Sequence, residues 1–244
     1  MLPVLFLLIA FFSEVVGTVA GFGSSVFFVP LAGFFFGFHE VLALTSVLHV
    51  FSNTAKLILF RQHVQWKLLL LLGIPGIVFV ILGALLSRQV EFKFTELILG
   101  LFLILFSVLL LLKPAATLTP NALNAISCGG IAGFLAGLIG TGGAIRGLVL
   151  TAFDLEKNVF VATSAAIDSG VDFSRMIIYL RGGYLPQELF WFVPGLLLTA
   201  FAGSYVGKVL LKKIQQKSFR KIVLVLVLLI GLTTLGRFVN QFIR

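Results

Sequence analysis

The sequence contains few charged residues and a single cysteine. Only 11% of its 244 residues are charged, and Cys128 is the one cysteine. A soluble domain carries about 25% charged residues, so the composition excludes an ordinary soluble fold. One cysteine excludes an internal disulfide and argues against a thiolate metal cluster. No metal site and no cofactor are predicted.

Acidic residues are scarce as well, with nine Asp and Glu against 18 Lys and Arg, which gives a net charge of +9. A basic chain can bind nucleic acid. Here, however, most basic residues lie between apolar segments, as the positive-inside rule predicts for cytoplasmic loops. We therefore expect a lipid bilayer and no nucleic acid as partner. The first residues also lack the basic region of a signal peptide, so we expect them in the mature protein.

Apolar residues dominate the chain, at 59%, and the mean hydropathy is +1.15. A transmembrane helix needs about 20 apolar residues to cross the hydrocarbon layer. Six long apolar segments meet or approach this length. They cover roughly residues 41–60, 67–87, 94–112, 159–180, 188–208 and 221–240. The sequence therefore predicts a multi-pass protein of the plasma membrane, in a prokaryote the inner membrane.

An internal repeat relates the two halves at an offset of 119 residues. Residues 53–56, Asn-Thr-Ala-Lys, run into an apolar stretch, and residues 172–175, Asp-Phe-Ser-Arg, do the same. The dipeptide Pro75-Gly76 returns at the same offset as Pro194-Gly195. These matches predict that the halves share one fold.

Each half opens with an apolar region that glycines interrupt, at residues 17–25 and 133–143. The glycines from Gly140 to Gly143 are too dense for a continuous helix, where each costs about 1 kcal/mol relative to alanine. Irregular backbone persists at membrane depth only where protein or a watery cavity satisfies it. We predict a broken helix that is re-entrant or crosses twice. Paired broken helices mark the substrate site of many transporters.

The predicted fold is an all-α polytopic membrane protein made of two inverted repeats. The repeats cover residues 1–112 and 122–244, and a proline-containing linker joins them at 113–121. Each repeat has a glycine-broken opening region and three long transmembrane helices. With the basic segment 208–221 in a cytoplasmic loop, inverted repeats place ten basic residues inside and five outside. Parallel repeats give at best nine and six, so the positive-inside rule favours inversion.

Three cations are candidate ligands for an anion. Lys56 and Arg175 occupy equivalent places in the repeat, inside apolar stretches. A cation at bilayer depth costs about 2.5 to 3.5 kcal/mol and is seldom without a function. Arg146 follows the second glycine-rich break, and its guanidinium matches carboxylate or sulfonate oxygens. Asn53 is also a candidate ligand, and because it is neutral we expect Lys56 to be free for substrate.

Further donors lie at the breaks themselves. Ser24, Ser25 and Thr141 offer hydroxyl groups, and Gly142 and Gly143 offer backbone N–H groups without a Cβ in the way. The N-terminus of a half-helix binds anions because its N–H groups are unpaired and its dipole is positive. Together with the cations, these groups predict a mid-membrane anion site between the repeats.

Three carboxylates have alternative roles. Asp172 lies three residues before Arg175 and can pair with it on one helical face. Asp168 lies one turn further back, and either aspartate could instead take up protons for coupling. Glu14, in the first apolar segment, faces the pore or the outer interface. Charge pairing is favoured over proton coupling.

These features resemble the TauE/SafE sulfite exporter family of secondary transporters. The resemblance rests on the glycine-broken openings, the pairs Thr45-Ser46 and Thr163-Ser164, and the Pro-Gly dipeptides of the third segments. It covers nearly the whole chain. Residues 137–143 are closer to the family's glycine-rich pattern than residues 21–25, which have serines instead. The resemblance implies transport of sulfite, sulfonates and related small organic anions.

The predicted function is therefore secondary transport, as an exporter acting by alternating access, and not enzyme catalysis. Export of a monovalent anion from a cell that is negative inside gains about 2.3 kcal/mol per 100 mV, so we expect electrogenic export. An anion channel and a proton-coupled organic anion carrier are the alternatives. An integral-membrane enzyme would need a catalytic cluster that the sequence lacks, and a non-transporting membrane subunit would not need buried cations or broken helices in both repeats. A homodimer is compatible with the sequence.

Overall fold

The computed structural model describes residues 2–20, 23–60, 64–90, 92–113, 119–213 and 216–243. These residues form α-helices and no β-strand, which confirms the all-α prediction. The helices are α1 Leu2–Ala20, α2 Ser25–Ala32, α3 Phe38–Phe60, α4 Trp66–Leu86, α5 Phe92–Leu112, α6 Ala122–Ile139, α7 Gly143–Thr151, α8 Lys157–Arg181, α9 Phe192–Leu211 and α10 Gln216–Ile243. A short 3₁₀ turn, Gln187–Leu189, precedes α9.

Five helices, α1, α3, α4, α6 and α9, are long and apolar enough to cross a membrane. Helices α5 and α10 contain the shorter apolar stretches Leu97–Leu112 and Leu224–Gly236. The six apolar segments of the sequence correspond to α3, α4, α5, α8, α9 and α10. The chain is thus a multi-pass membrane protein, as predicted.

Both glycine-rich openings are broken helices. Helix α1 ends at Ala20, and the short helix α2 begins at Ser25. In the second half, α6 ends at Ile139, and the short helix α7 begins at Gly143. Gly140 follows the last residue of α6 with φ of 80°, a left-handed conformation that glycine adopts without the strain of a Cβ. Gly23, before α2, has φ of 79°. The short helices α2 and α7 have eight and nine residues and are about 12 to 14 Å long, so neither spans the bilayer by itself.

Helices α1 and α2 of the first broken region lie side by side. The ring of Phe6 in α1 contacts the ring of Phe28 in α2 at a centroid distance of 5.4 Å. It also contacts Phe36, just beyond α2, at 5.0 Å. The two broken regions then meet each other, because Ser25 Oγ donates a hydrogen bond to Thr141 Oγ1 at 3.4 Å. The breaks of both halves therefore lie together in the interior.

The four largest helix interfaces all join the first half to the second. Helix α4 packs on α6, α1 on α9, α3 on α8 and α5 on α10. The α4–α6 contact is close enough to require glycine: a Cβ on Gly133 would lie 2.2 Å from the carbonyl oxygen of Gly76. Small residues at such contacts let helix backbones approach in membranes. Each of these helices of the first half therefore packs against a helix of the second half.

Contacts at the helix ends show how α3 and α8 run. At one end of the bundle, His39 Nε2 lies 3.1 Å from the carbonyl oxygen of Ser87, and Ser87 Oγ lies 3.0 Å from the Tyr184 hydroxyl. At the other end, the Gln65 N–H donates to Thr163 Oγ1 at 3.1 Å. Helix α3 therefore begins where α8 ends, and the two pack antiparallel.

The prediction of a loop across residues 208–221 is wrong. Lys208 lies in the last turn of α9, and α10 begins at Gln216. The Lys208 ammonium donates to the Leu59 carbonyl oxygen and lies 5.4 Å from the centre of the Phe60 ring. These contacts accommodate the charge of Lys208 within the last turn of the helix. The connection shrinks to residues 212–215, of which 214–215 lie outside the described residues.

The predicted linker, 113–121, falls between α5 and α6. Helix α6 begins after Asn121, whose side chain accepts a hydrogen bond from the Asn124 N–H at 2.7 Å and so caps the helix. Residues 114–118 lie outside the described residues. The division into repeats at this linker stays a prediction.

Candidate functional site

A buried cavity lies where the two broken helices meet α3 and α8. Its volume is about 20 Å³, the space of about one water molecule. Ten of the twelve predicted site residues line it: Ser24, Ser25, Asn53, Lys56, Gly142, Gly143, Arg146, Asp168, Asp172 and Arg175. Thr141 lies next to it, bonded to Ser25. The structure therefore brings the predicted residues together, and their role in substrate binding stays a prediction.

Lys56 is not free, contrary to our expectation. Its Nζ lies 3.2 Å from Oε2 of Glu14 and 2.7 Å from Oγ of Ser52. Glu14 is completely buried in α1, and the hydroxyls of Ser24 and Ser52 also donate to its carboxylate. The expectation considered only the carboxylates near Lys56 in the sequence, whereas Glu14 approaches from another helix. Glu14 thus lies in the interior of the bundle, in contact with residues that line the cavity.

Arg175 forms the predicted pair with Asp172. Its Nη2 lies 2.7 Å from Asp172 Oδ1, and the Asn53 side-chain amide donates to Asp172 Oδ2 at 2.8 Å. Arg175 Nη1 donates to the carbonyl oxygens of Ala136 and Gly140, at 2.9 and 3.1 Å. These carbonyls belong to the end of α6, where the helix hydrogen bonds stop. Arg175 therefore stabilises the break in α6 as well as neutralising Asp172.

The third ion pair joins α7 to α8. Arg146 Nη1 is in direct contact with Asp168 Oδ1, and Ser164 Oγ lies 3.4 Å from Asp168 Oδ2. Arg146 comes from the first turn of α7, which begins at the cavity. The two aspartates on α8 thus have separate arginines, Arg146 for Asp168 and Arg175 for Asp172.

Two guanidinium N–H groups of the arginines that line this cavity donate no hydrogen bond within the part of the chain that the structure describes. Nε of Arg146 and Nε of Arg175 are buried and have no hydrogen-bond partner among the residues that the structure describes. Buried donors are normally paired, and an unpaired one costs about 1 to 3 kcal/mol. The helices α2 and α7 also direct their N-termini, with their partial positive charge, to the cavity. The arrangement suits a small ligand with several acceptor oxygens.

Comparison with known proteins identifies the family of the chain. The family model for the sulfite exporter TauE/SafE matches residues 6–234, nearly the whole chain. The chain belongs to the TauE/SafE family. It is 26% identical to the "Probable membrane transporter protein MJ0441" of Methanocaldococcus jannaschii, over 90% of both chains. No solved structure matches it. This TauE/SafE member is therefore a membrane transporter.

His49 is a residue of this TauE/SafE cavity that sequence reasoning missed. Its Nε2 lies 2.9 Å from Ser24 Oγ, and its Nδ1 lies 3.2 Å from Arg175 Nη2 and 3.4 Å from Asp172 Oδ2. The repeat offset of 119 residues would have found it, because it aligns His49 with Asp168.

Proposed function

We propose that this TauE/SafE protein is a carrier that exports small sulfur-containing anions, such as sulfite or organosulfonates, across the plasma membrane. The observation that carries the proposal is the pair of buried guanidinium groups, Arg146 and Arg175, each with an unpartnered Nε at one cavity. A sulfonate or sulfite group offers three oxygens that can accept from both forks. The enzyme alternative has no observation in its favour.

The small cavity volume supports a carrier over a channel. A space of about 20 Å³ holds one water and no sulfonate, so the anion must open the ion pairs as it binds. A second space of about 30 Å³ shares Lys56, Asn53 and Asp168 with the first and extends to Phe160 and Val161 near the start of α8. The second space thus forms part of a path from that end of the bundle to the cavity.

At the opposite end of the bundle, where α8 ends and α3 begins, aromatic side chains are closely packed. Tyr179 stacks on Tyr184 at a centroid distance of 5.2 Å, and Tyr184 contacts the His39 ring at 4.3 Å. The Tyr179 hydroxyl donates to the carbonyl oxygen of Gly137 at 2.5 Å. This difference between the two ends supports alternating access, in which the packed end opens as the other end closes.

The two halves are well suited to exchange roles if they are inverted repeats. Helices α3 and α8 hold equivalent places in the sequence repeat and pack antiparallel. The interfaces α4–α6 and α1–α9 are likewise equivalent between the halves. We include the inversion in the proposal, since it gives two symmetry-related routes to one central site.

Calorimetric titration of the purified protein with sulfite and with ethanesulfonate tests the site. Arg146→Gln should weaken binding at least about tenfold, because a charged hydrogen bond is worth about 1.5 to 3 kcal/mol. The double variant Arg146→Gln/Asp168→Asn strands no carboxylate, so it should fold normally and still bind weakly. Arg181→Gln, at the exposed end of α8, is the matched control.

Near-native affinity in both Arg146 variants would place the anion elsewhere. Flux in proteoliposomes then separates the mechanisms. A carrier saturates with anion concentration at its conformational turnover, whereas a channel keeps a much higher unitary rate. Single-channel currents carried by ethanesulfonate would refute alternating access.

A further inference from the structure

His49 joins the ionic clusters of the two halves. It lies on α3 with a side chain that is 12% exposed, at the cavity that Arg146 and Arg175 line. One ring nitrogen contacts Ser24, whose hydroxyl in turn donates to Glu14. The other ring nitrogen faces both Arg175 and Asp172. His49 thus contacts Ser24, just before α2 of its own half, and α8 of the other half.

The charged groups around His49 balance one another. They are Glu14 on α1, Lys56 on α3, Arg146 on α7, and Asp168, Asp172 and Arg175 on α8. Three cations pair with three carboxylates, so with a neutral imidazole the site has no net charge. A monovalent anion added to it brings one uncompensated negative charge into the membrane interior, where an unpaired charge is costly.

We propose that His49 binds a proton together with the anion, so that the proton and a monovalent anion are transported together without net charge. This inference rests on the proposed function. Histidine is the side chain whose charge changes near neutral pH. One added proton restores the charge balance, because the site then holds four cations against three carboxylates and the anion.

The contacts of His49 provide a route for this coupling. With a proton on Nε2 alone, the lone pair of Nδ1 accepts from Arg175 Nη2 at 3.2 Å. A proton from the aqueous side adds to that lone pair and turns Nδ1 into a donor, which faces Asp172 Oδ2 at 3.4 Å. Arg175 then loses an acceptor and gains a like charge beside it. Its freed Nη2–H is available to an oxygen of the anion.

Release reverses the sequence. When the anion leaves on the other side, the N–H bond at Nδ1 breaks and the proton passes to water, while the lone pair again accepts from Arg175. For a monovalent anion the full cycle moves no net charge. Export then follows the gradients of the anion and the proton and is insensitive to membrane potential. The structure thus favours the proton-coupled alternative over electrogenic export.

Calorimetry in two buffers tests the proposal directly. Ethanesulfonate is the probe, since its sulfonate stays ionised throughout the accessible pH range. At one pH, the difference in heat between buffers of unlike ionisation enthalpy gives the number of protons taken up. We expect about one proton per anion for the unmodified protein, and a Kd that rises as the pH is raised, because binding takes up a proton.

Two variants identify the residue. His49→Gln should take up no proton and bind with a Kd that no longer changes with pH. His39→Gln is the matched control, since His39 lies at the far end of α3 against the Ser87 carbonyl and should leave proton uptake unchanged. Proteoliposome flux adds an independent measurement: a pH gradient should drive ethanesulfonate, and an imposed potential should not.

The outcomes separate the inference from the proposed function. Ethanesulfonate binding without proton uptake, or proton uptake that persists in His49→Gln, overturns the inference and leaves the anion carrier standing. Flux that follows an imposed potential overturns it too. If His49→Gln does not fold, the two-buffer result and the flux of the unmodified protein decide. Absence of any anion-dependent heat or flux overturns the proposed function itself.

Discussion

Removing the charge of Lys56 should destabilise the protein, because it leaves the Glu14 carboxylate buried without its cation. The perturbation is Lys56→Met, which keeps the apolar stem of the side chain and so avoids opening a large cavity. At the observed 3.2 Å and an effective dielectric constant near 20, the attraction is about 5 kcal/mol. The hydroxyls of Ser24 and Ser52 still donate to Glu14 afterwards.

The expected loss is therefore about 3 kcal/mol, the lower end of the range for breaking a buried pair. The second variant, Lys56→Met/Glu14→Gln, removes both charges and should return to within about 1 kcal/mol of the unmodified protein. The free energy of unfolding is measured in mixed micelles with increasing dodecyl sulfate, by circular dichroism. Lys67→Met is the matched control, because Lys67 is exposed at the start of α4.

Two results would refute this reasoning. In the first, Lys56→Met unfolds with the same free energy as the Lys67 control, which would mean that Glu14 needs no cation. In the second, the double variant is no more stable than the single one. The loss would then come from packing of the lysine stem and not from the stranded carboxylate.

Two further predictions concern the helix contacts and the break in α6. Gly133→Ala should lower the free energy of unfolding by about 1 to 3 kcal/mol, because its Cβ would meet the Gly76 carbonyl oxygen at 2.2 Å. Gly236→Ala, where a Cβ meets no atom within 4 Å, is the control in the same unfolding assay and should be neutral or stabilising. Tyr179→Phe should cost about 1 to 3 kcal/mol by removing the donor to the buried Gly137 carbonyl. Hydrogen exchange should show faster opening at the end of α6, and unchanged exchange there would contradict that role.

Features that depend on local sequence could be predicted well. The long helices follow from apolar runs of membrane length, and the breaks follow from the glycines around Gly140, whose left-handed conformation ends α6. The pair of Asp172 with Arg175 could be predicted because three residues on one helix bring the two side chains together. In each of these cases, the partners lie within one or two helical turns.

The partners that sequence reasoning missed come from different helices. Glu14 and Lys56 are 42 residues apart, and nothing in the spacing indicates that α1 turns this face to α3. His49 likewise acquires its partners from Ser24, just before α2, and from α8. Such contacts depend on how helices pack in three dimensions, which hydrophobic periodicity does not encode. The basic end of α9 was also misjudged, because a carbonyl and an aromatic ring from α3 accommodate Lys208.

The ion pairs at the cavity have a consequence for selectivity against chloride. Asp168 and Asp172 each already pair with one Nη atom of Arg146 and Arg175, so any incoming anion must compete with a resident carboxylate. Chloride has one spherical charge and no pair of oxygens to match a planar fork, and it is a poor competitor for that reason. We therefore expect the two carboxylates to keep chloride out of the site. A large excess of chloride should leave ethanesulfonate flux nearly unchanged, and strong competition would show that the carboxylates do not screen the site.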